Sequence, residues 1–242
     1  MELEKWSDTE AVLAVRIRTA LSNDPSLAHL WRASDLAIGV LFRSCAQESS
    51  GEPCGHTDDQ HTLMFLGGRV LTDILAAVRL LLGGYYLQAM ILQRDVLESG
   101  FLLQLFNEHP DKIAVWRTAN TKERMKSFSI GGISKTLKAS DVWNRYEEYT
   151  EYCELAAHPT AKGRVLTYRS DIRRTTVGPF FDKSTAKKVL IHIATNVCDA
   201  CHNLLHALGG HGSFDHEWQE IQKCFDEWSA VGSIDEPPPE DK

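Results

Sequence analysis

Residues 74–92, ILAAVRLLLGGYYLQAMIL, constrain this chain more than any other stretch. They are apolar enough to raise the question of a membrane span, with Arg79 and Gln88 as the only strongly polar residues. Two features argue against a span. Gly83-Gly84 falls in the middle, where paired glycines favour a turn over a continuous helix. An arginine near the bilayer centre would also cost about 2.5 kcal/mol or more. A helix over 59–82, a tight Gly-Gly reversal and a second helix over 85–107 account for the pattern better. These two would pack as an antiparallel pair, and a pair this apolar must be covered by further helices. The reading is an all-α, antiparallel helical bundle with no membrane partner.

The other periodicities agree with that frame. Val12, Val15, Ile17 and Leu21, then Leu36, Ile38, Leu41 and Phe42, predict two helices across 8–46, broken at Asn23-Asp24-Pro25. Residues 47–58, QESSGEPCGHTD, read as a turn-rich loop. A more polar helix is expected over 111–128 and a loop over 129–137. An amphipathic helix with Trp143, Tyr146, Tyr149 and Tyr152 is expected over 139–157. A long helix over 184–209 takes Ser184 as its cap and ends at His211-Gly212, and a short one follows over 215–229. A short hairpin at about 164–180 is the one strand signal. The organisation is one helical domain over 1–231, with its core in 59–210, and an acidic, Pro-rich tail over 232–242 expected to be disordered.

Charge and cysteine usage narrow the function classes. Lys+Arg 26 against Asp+Glu 33 gives −7, which argues against a protein that coats nucleic acid indiscriminately, since that needs a basic footprint. The opening MELEKWSDTE lacks the basic and apolar regions of a secretory signal, so a cytoplasmic, reducing location is expected. The six cysteines then read as free thiols or core residues. Glycine-rich phosphate loops, nucleophile elbows and dinucleotide fingerprints are absent, and no cofactor is implied.

Helix 85–107 is apolar nearly all round, yet it carries Arg94, Asp95 and Glu98. Arg94 and Glu98 stand four apart and share a face. Two readings follow. The pair is an intrahelical ion pair reaching solvent at the bundle rim, or it lines a polar pocket in which Arg94 binds an anion and Glu98 orients it or acts as a general base. Further along, EYCELAAHPTAKGR sets His158 at the end of an aromatic-rich helix, where the helix dipole favours imidazolium. A basic segment follows, with Lys162, Arg164, Arg169, Arg173 and Arg174 as candidate anion or nucleic-acid contacts.

The Arg-x-x-x-Glu pair in RDVLE (94–98), the Asn-Glu-His-Pro break, a Trp-bearing helix and a Tyr-rich helix ending in His-Pro-Thr together resemble the uncharacterised bacterial branch of the HEPN-like helical proteins. The resemblance covers roughly 60–210. It implies a compact helical bundle, often a homodimer, and in many members a toxin or phage-defence ribonuclease with a composite Arg/His site. In others it implies a non-catalytic binding role. The chain departs from the family's ribonuclease signature, because no arginine has a histidine four to six residues after it. Chemistry on RNA or nucleotides would therefore require Arg94, Glu98 and His158 to meet in space, with His158 transferring the proton and Arg94 stabilising phosphate.

VCDACHNLLHALGGHG places Cys198, His202 and His206 near one helix face, a possible zinc set completed from elsewhere. Cys198-x-x-Cys201-His202 also matches a haem-attachment string, but within a helix and without an export signal. Cysteine and histidine are equally acceptable on a helix face packed against a core. Three function classes thus stand: an RNA- or nucleotide-acting effector, a non-catalytic homodimeric module binding a ligand or partner protein, and a zinc-dependent enzyme.

Overall fold

The structure, a computed structural model, describes residues 2–46, 56–137, 140–158, 160–169, 172–176, 178–209 and 211–232. The loop read over 47–58 falls mostly outside these residues, and the tail beyond 232 falls outside them entirely. The chain is an all-α bundle. Its helices are α1 (Glu2–Ser22), α2 (Pro25–Ala46), α3 (Asp58–Leu82), α4 (Tyr86–Glu108), α5 (Asp111–Thr118), α6 (Thr121–Ser127), α7 (Ile130–Leu137), α8 (Ser140–Tyr152), α9 (Lys183–Leu208) and α10 (Asp215–Gly232). A π-helical turn, Cys153–Ala157, extends α8, and a 3-10 turn, Ala161–Leu166, follows it. The strands β1 (Tyr168–Arg169) and β2 (Arg174–Thr175) form an antiparallel hairpin inside the expected 164–180 window.

The Gly83-Gly84 reversal sits where the sequence puts it. Gly84 adopts φ +78, and a Cβ there would lie 2.5 Å from the Phe180 carbonyl oxygen. The turn therefore needs glycine twice over, for its left-handed backbone and for the chain that crosses it. The Tyr86 hydroxyl accepts the Asp182 N–H at 3.1 Å, and Lys183 Nζ lies 3.4 Å from Asp24. The starts of α2, α4 and α9 thus meet at one end and these helices run alike, while α3 runs against them. At the other end Gly67 lets Leu204 of α9 and Cys45 of α2 close on α3, since a Cβ there would meet them at 2.6 and 2.8 Å. α4 and α9 form the centre, with α2, α3, α7 and α8 around them and α10 laid on α2. Among the described residues, no helix is long and apolar enough to cross a membrane.

Local chemistry moved several boundaries. Residues 129–137, expected as a loop because of Gly131-Gly132, form α7. Ile130, Ile133 and Leu137 are buried at helical spacing, and Gly132 packs on backbone, with Lys126 O 2.6 Å from where its Cβ would stand. The single helix expected over 111–128 is two, because Ala119 is extended and Asn120 opens α6 with a capping box to Glu123. Asp182, not Ser184, caps α9 by accepting the Thr185 N–H at 2.8 Å. Gly209, at φ +67, ends that helix ahead of His211.

Two glycine substitutions test this account. Gly84→Ala should lower stability by about 2 kcal/mol or more, through strained φ and collision with Phe180. Gly68→Ala, in mid-α3 with nothing within 4 Å of the added carbon, should be neutral or stabilising by up to about 1 kcal/mol. Urea unfolding of both variants checks the contrast.

Candidate functional site

α4 is buried along most of its length, but its face toward α8 and α9 carries Gln93, Arg94 and Glu98. Buried polar groups must find partners. α8 supplies them with Glu148, Tyr149 and Tyr152, and α9 with His192 and Asn196. The result is two adjoining hydrogen-bonded clusters.

In the first, Arg94 Nη2 donates to Glu98 Oε1 at 2.7 Å and to the Tyr149 hydroxyl at 2.9 Å. Tyr149 in turn donates to Glu98 Oε1 at 2.8 Å, closing a triangle. The guanidinium carbon also lies 5.4 Å from the Tyr149 ring centroid. Burial opposes charge on Arg94, but Tyr149 and Glu98 outweigh it and hold the guanidinium firmly protonated. Burial, helped by the Glu98 carboxylate, pushes the Tyr149 hydroxyl well above its ordinary range despite the opposing hydrogen bond from Arg94, so it stays neutral. The Arg94 and Glu98 side chains remain 32% and 34% exposed, which places the pair at the bundle rim, not in an enclosed pocket.

The second cluster lies one helical turn further along α8 and deeper. The Tyr152 hydroxyl, on a residue 0% exposed, meets Glu148 Oε1 at 2.6 Å, His192 Nδ1 at 2.7 Å and Asn196 Nδ2 at 3.1 Å. Asn196 Nδ2 also donates to Gln93 Oε1 at 3.2 Å. A hydroxyl has one proton to give, and here it goes to the carboxylate. The Asn196 amide is itself a donor. The His192 contact is then a hydrogen bond only if Nδ1 carries the proton, which leaves Nε2 with the free lone pair. Glu148 Oε1, 3.6 Å from the same Nδ1, reinforces this orientation. Such a buried anchor on one imidazole nitrogen is how a histidine is poised as a proton acceptor through the other.

The sequence-predicted residues are brought together only in part. Arg94 and Glu98 meet as expected. His158 does not join them. It is exposed at the end of the π turn, which it closes through its N–H to Cys153 O at 2.9 Å. It stands nine residues beyond Tyr149, roughly 10–13 Å of helical rise. The reason is local: α8 points Tyr149 and Tyr152 inward, and the chain turns away after Ala157. The basic segment is likewise dispersed. Lys162 pairs with Glu154, Arg164 lies 5.3 Å over the Tyr168 ring, Arg169 and Arg174 sit on the hairpin strands, and Arg173 occupies its turn at φ 51.

The Cys198, His202 and His206 face divides between two neighbours. Cys198 Sγ points to Ala33 O of α2 at 3.8 Å, and burial raises its thiol far above the ordinary range, against the thiolate a metal requires. His202 stacks between His206 and Trp218, at centroid distances of 4.3 and 4.8 Å. Among the described residues, no three His, Cys, Asp or Glu side chains gather as a metal site.

His192, Asn196 and Gln93 escape a reading of the sequence by family motif. Their signal is nevertheless present: His192 and Asn196 are polar residues at i and i+4 in the apolar run VLIHIATNVC. No family model, curated protein or solved structure matches the chain.

The two clusters predict different mutational costs. Tyr152→Phe strands the Asn196 and His192 donors in a buried site and should cost about 1–3 kcal/mol. Arg94→Ala removes a pair that solvent screens and should cost about 1 kcal/mol or less. Thermal and urea unfolding rank the two, and the reverse order would place the essential polar contact at Arg94.

Proposed function

We propose that the α4–α8–α9 cluster is the working site of a HEPN-like effector, a toxin or phage-defence protein acting on RNA or nucleotides by proton transfer beside a phosphate-stabilising arginine. His192 takes the proton-transfer role that the sequence assigned to His158. Arg94 stabilises the phosphate, and Glu98 and Tyr149 hold the guanidinium in place. The observation that supports this most is the three-way bonding of the Tyr152 hydroxyl, which turns His192 Nε2 into an available base. The substrate class rests on the resemblance of RDVLE and the Tyr-rich helix to HEPN-like proteins.

A second reading draws on the closed Arg94–Glu98–Tyr149 triangle, in which a carboxylate already offsets the arginine's charge. It makes the protein a non-catalytic module that binds a ligand or partner protein, as a homodimer in the cytoplasm. The two part cleanly on expression in a bacterial host with RNA profiling. The effector reading expects growth arrest with cleaved RNA or depleted nucleotides from the wild type. It expects activity to fall about 100-fold or more in His192→Ala, to be lost in Arg94→Ala, and to be retained in His158→Ala. Normal growth and intact RNA and nucleotides for all four proteins would overturn it in favour of the module.

A further inference from the structure

A second charged site lies at the end of the bundle where α2, α4 and α9 begin. A cavity of about 400 Å³ opens there between α1, the hairpin and the first turn of α9. Three cations from three separate elements line it: Arg16, Arg169 and Lys183. The Arg16 guanidinium is spread over the Phe181 ring, 4.2 Å from its centroid, which fixes its plane at the mouth. Arg174 stands directly opposite Arg169 in the two-strand ladder. Like charges paired across a ladder repel, and an anion beside them relieves that repulsion. The acids nearby are engaged elsewhere: Asp182 caps α9 through the Thr185 N–H, and Asp24 faces Lys183 at 3.4 Å while accepting from Ser26 at 2.7 Å. Four cations against these two carboxylates leave the cleft positive. Its floor is rigid, because Phe180 rests on Gly84 at a distance no side chain would allow.

From this geometry we propose that the cleft binds the phosphate groups of a small diphosphate-bearing molecule. The fork of an arginine matches phosphate oxygens in bidentate fashion, and Lys183 adds a point charge at the end of a long helix whose dipole also favours an anion. The site is separate from the Arg94 cluster, so each can fail without the other.

Calorimetric titration of the full chain with inorganic pyrophosphate, at constant ionic strength, tests it. The wild type should bind saturably, and Arg16→Gln and Arg169→Gln should each weaken binding by about tenfold or more. Arg169→Gln should keep its melting temperature without ligand, and Lys183→Gln gives a further variant whose folding does not depend on the hairpin. Arg94→Gln should bind pyrophosphate like the wild type. Absence of saturable binding in the wild type would overturn the proposal. So would undiminished binding in Arg16→Gln, Arg169→Gln and Lys183→Gln alike. Binding to vesicles containing phosphatidylinositol phosphates, with none to free pyrophosphate, would also overturn it by making the cleft a membrane-surface contact.

Discussion

α4 has to be covered on almost every side while carrying Gln93, Arg94 and Glu98 toward its neighbours. The rest of the architecture answers that constraint. The apolar majority of the helix is met by α3, α7 and α9. The polar minority is met by α8, a helix with low apolar content whose tyrosines bring rings to the core and hydroxyls to the polar groups. Tyr152 is the joint. Its oxygen ties α8 to α9 directly and to α4 through Asn196 and Gln93, so three helices share one hydrogen-bonded point. Such networks specify one packing among the several that apolar contact alone would tolerate.

The two clusters divide the labour between rigidity and access. The Tyr152 cluster is inaccessible except at His192 and Glu148, whose side chains are 27% and 28% exposed. The Arg94 cluster is shallower and faces water. An ordered base next to an accessible cation is what proton transfer on a phosphate ester calls for. The same closeness of Glu98 to Arg94 tempers the arginine's attraction for anions. The cleft at Arg16 and Arg169 has no such tightly bonded acid at its guanidinium groups, which makes it the more open of the two to phosphate.

The bundle was legible in the sequence because helix periodicity and the Gly83-Gly84 turn are local signals. Where local signals conflict, the tertiary contact decided. Gly131-Gly132 looks like a loop, yet Ile130, Ile133 and Leu137 bury against the bundle and make a helix. The Arg94–Glu98 contact was legible for the same reason as the helices, being an i,i+4 pair on one element. Tyr149, Tyr152, His192 and Asn196 come from elements some 40 to 100 residues away from α4, and nothing local states which will meet. His158 attracted the functional role because its sequence neighbours are basic and aromatic. Its distance from Arg94 is set by the π turn and the exit of the chain after it, which the sequence does not advertise.

The central claim is that Tyr152 and Glu148 hold His192 with its proton on Nδ1. Nitrogen-15 correlation NMR of the imidazole side chains reads this directly, with His192→Gln assigning the signal among the ten histidines. In the neutral imidazole at mildly alkaline pH, the account predicts a protonated Nδ1 and an unprotonated Nε2 for His192, held as one tautomer. A proton on Nε2, or averaging between the two tautomers, would contradict it.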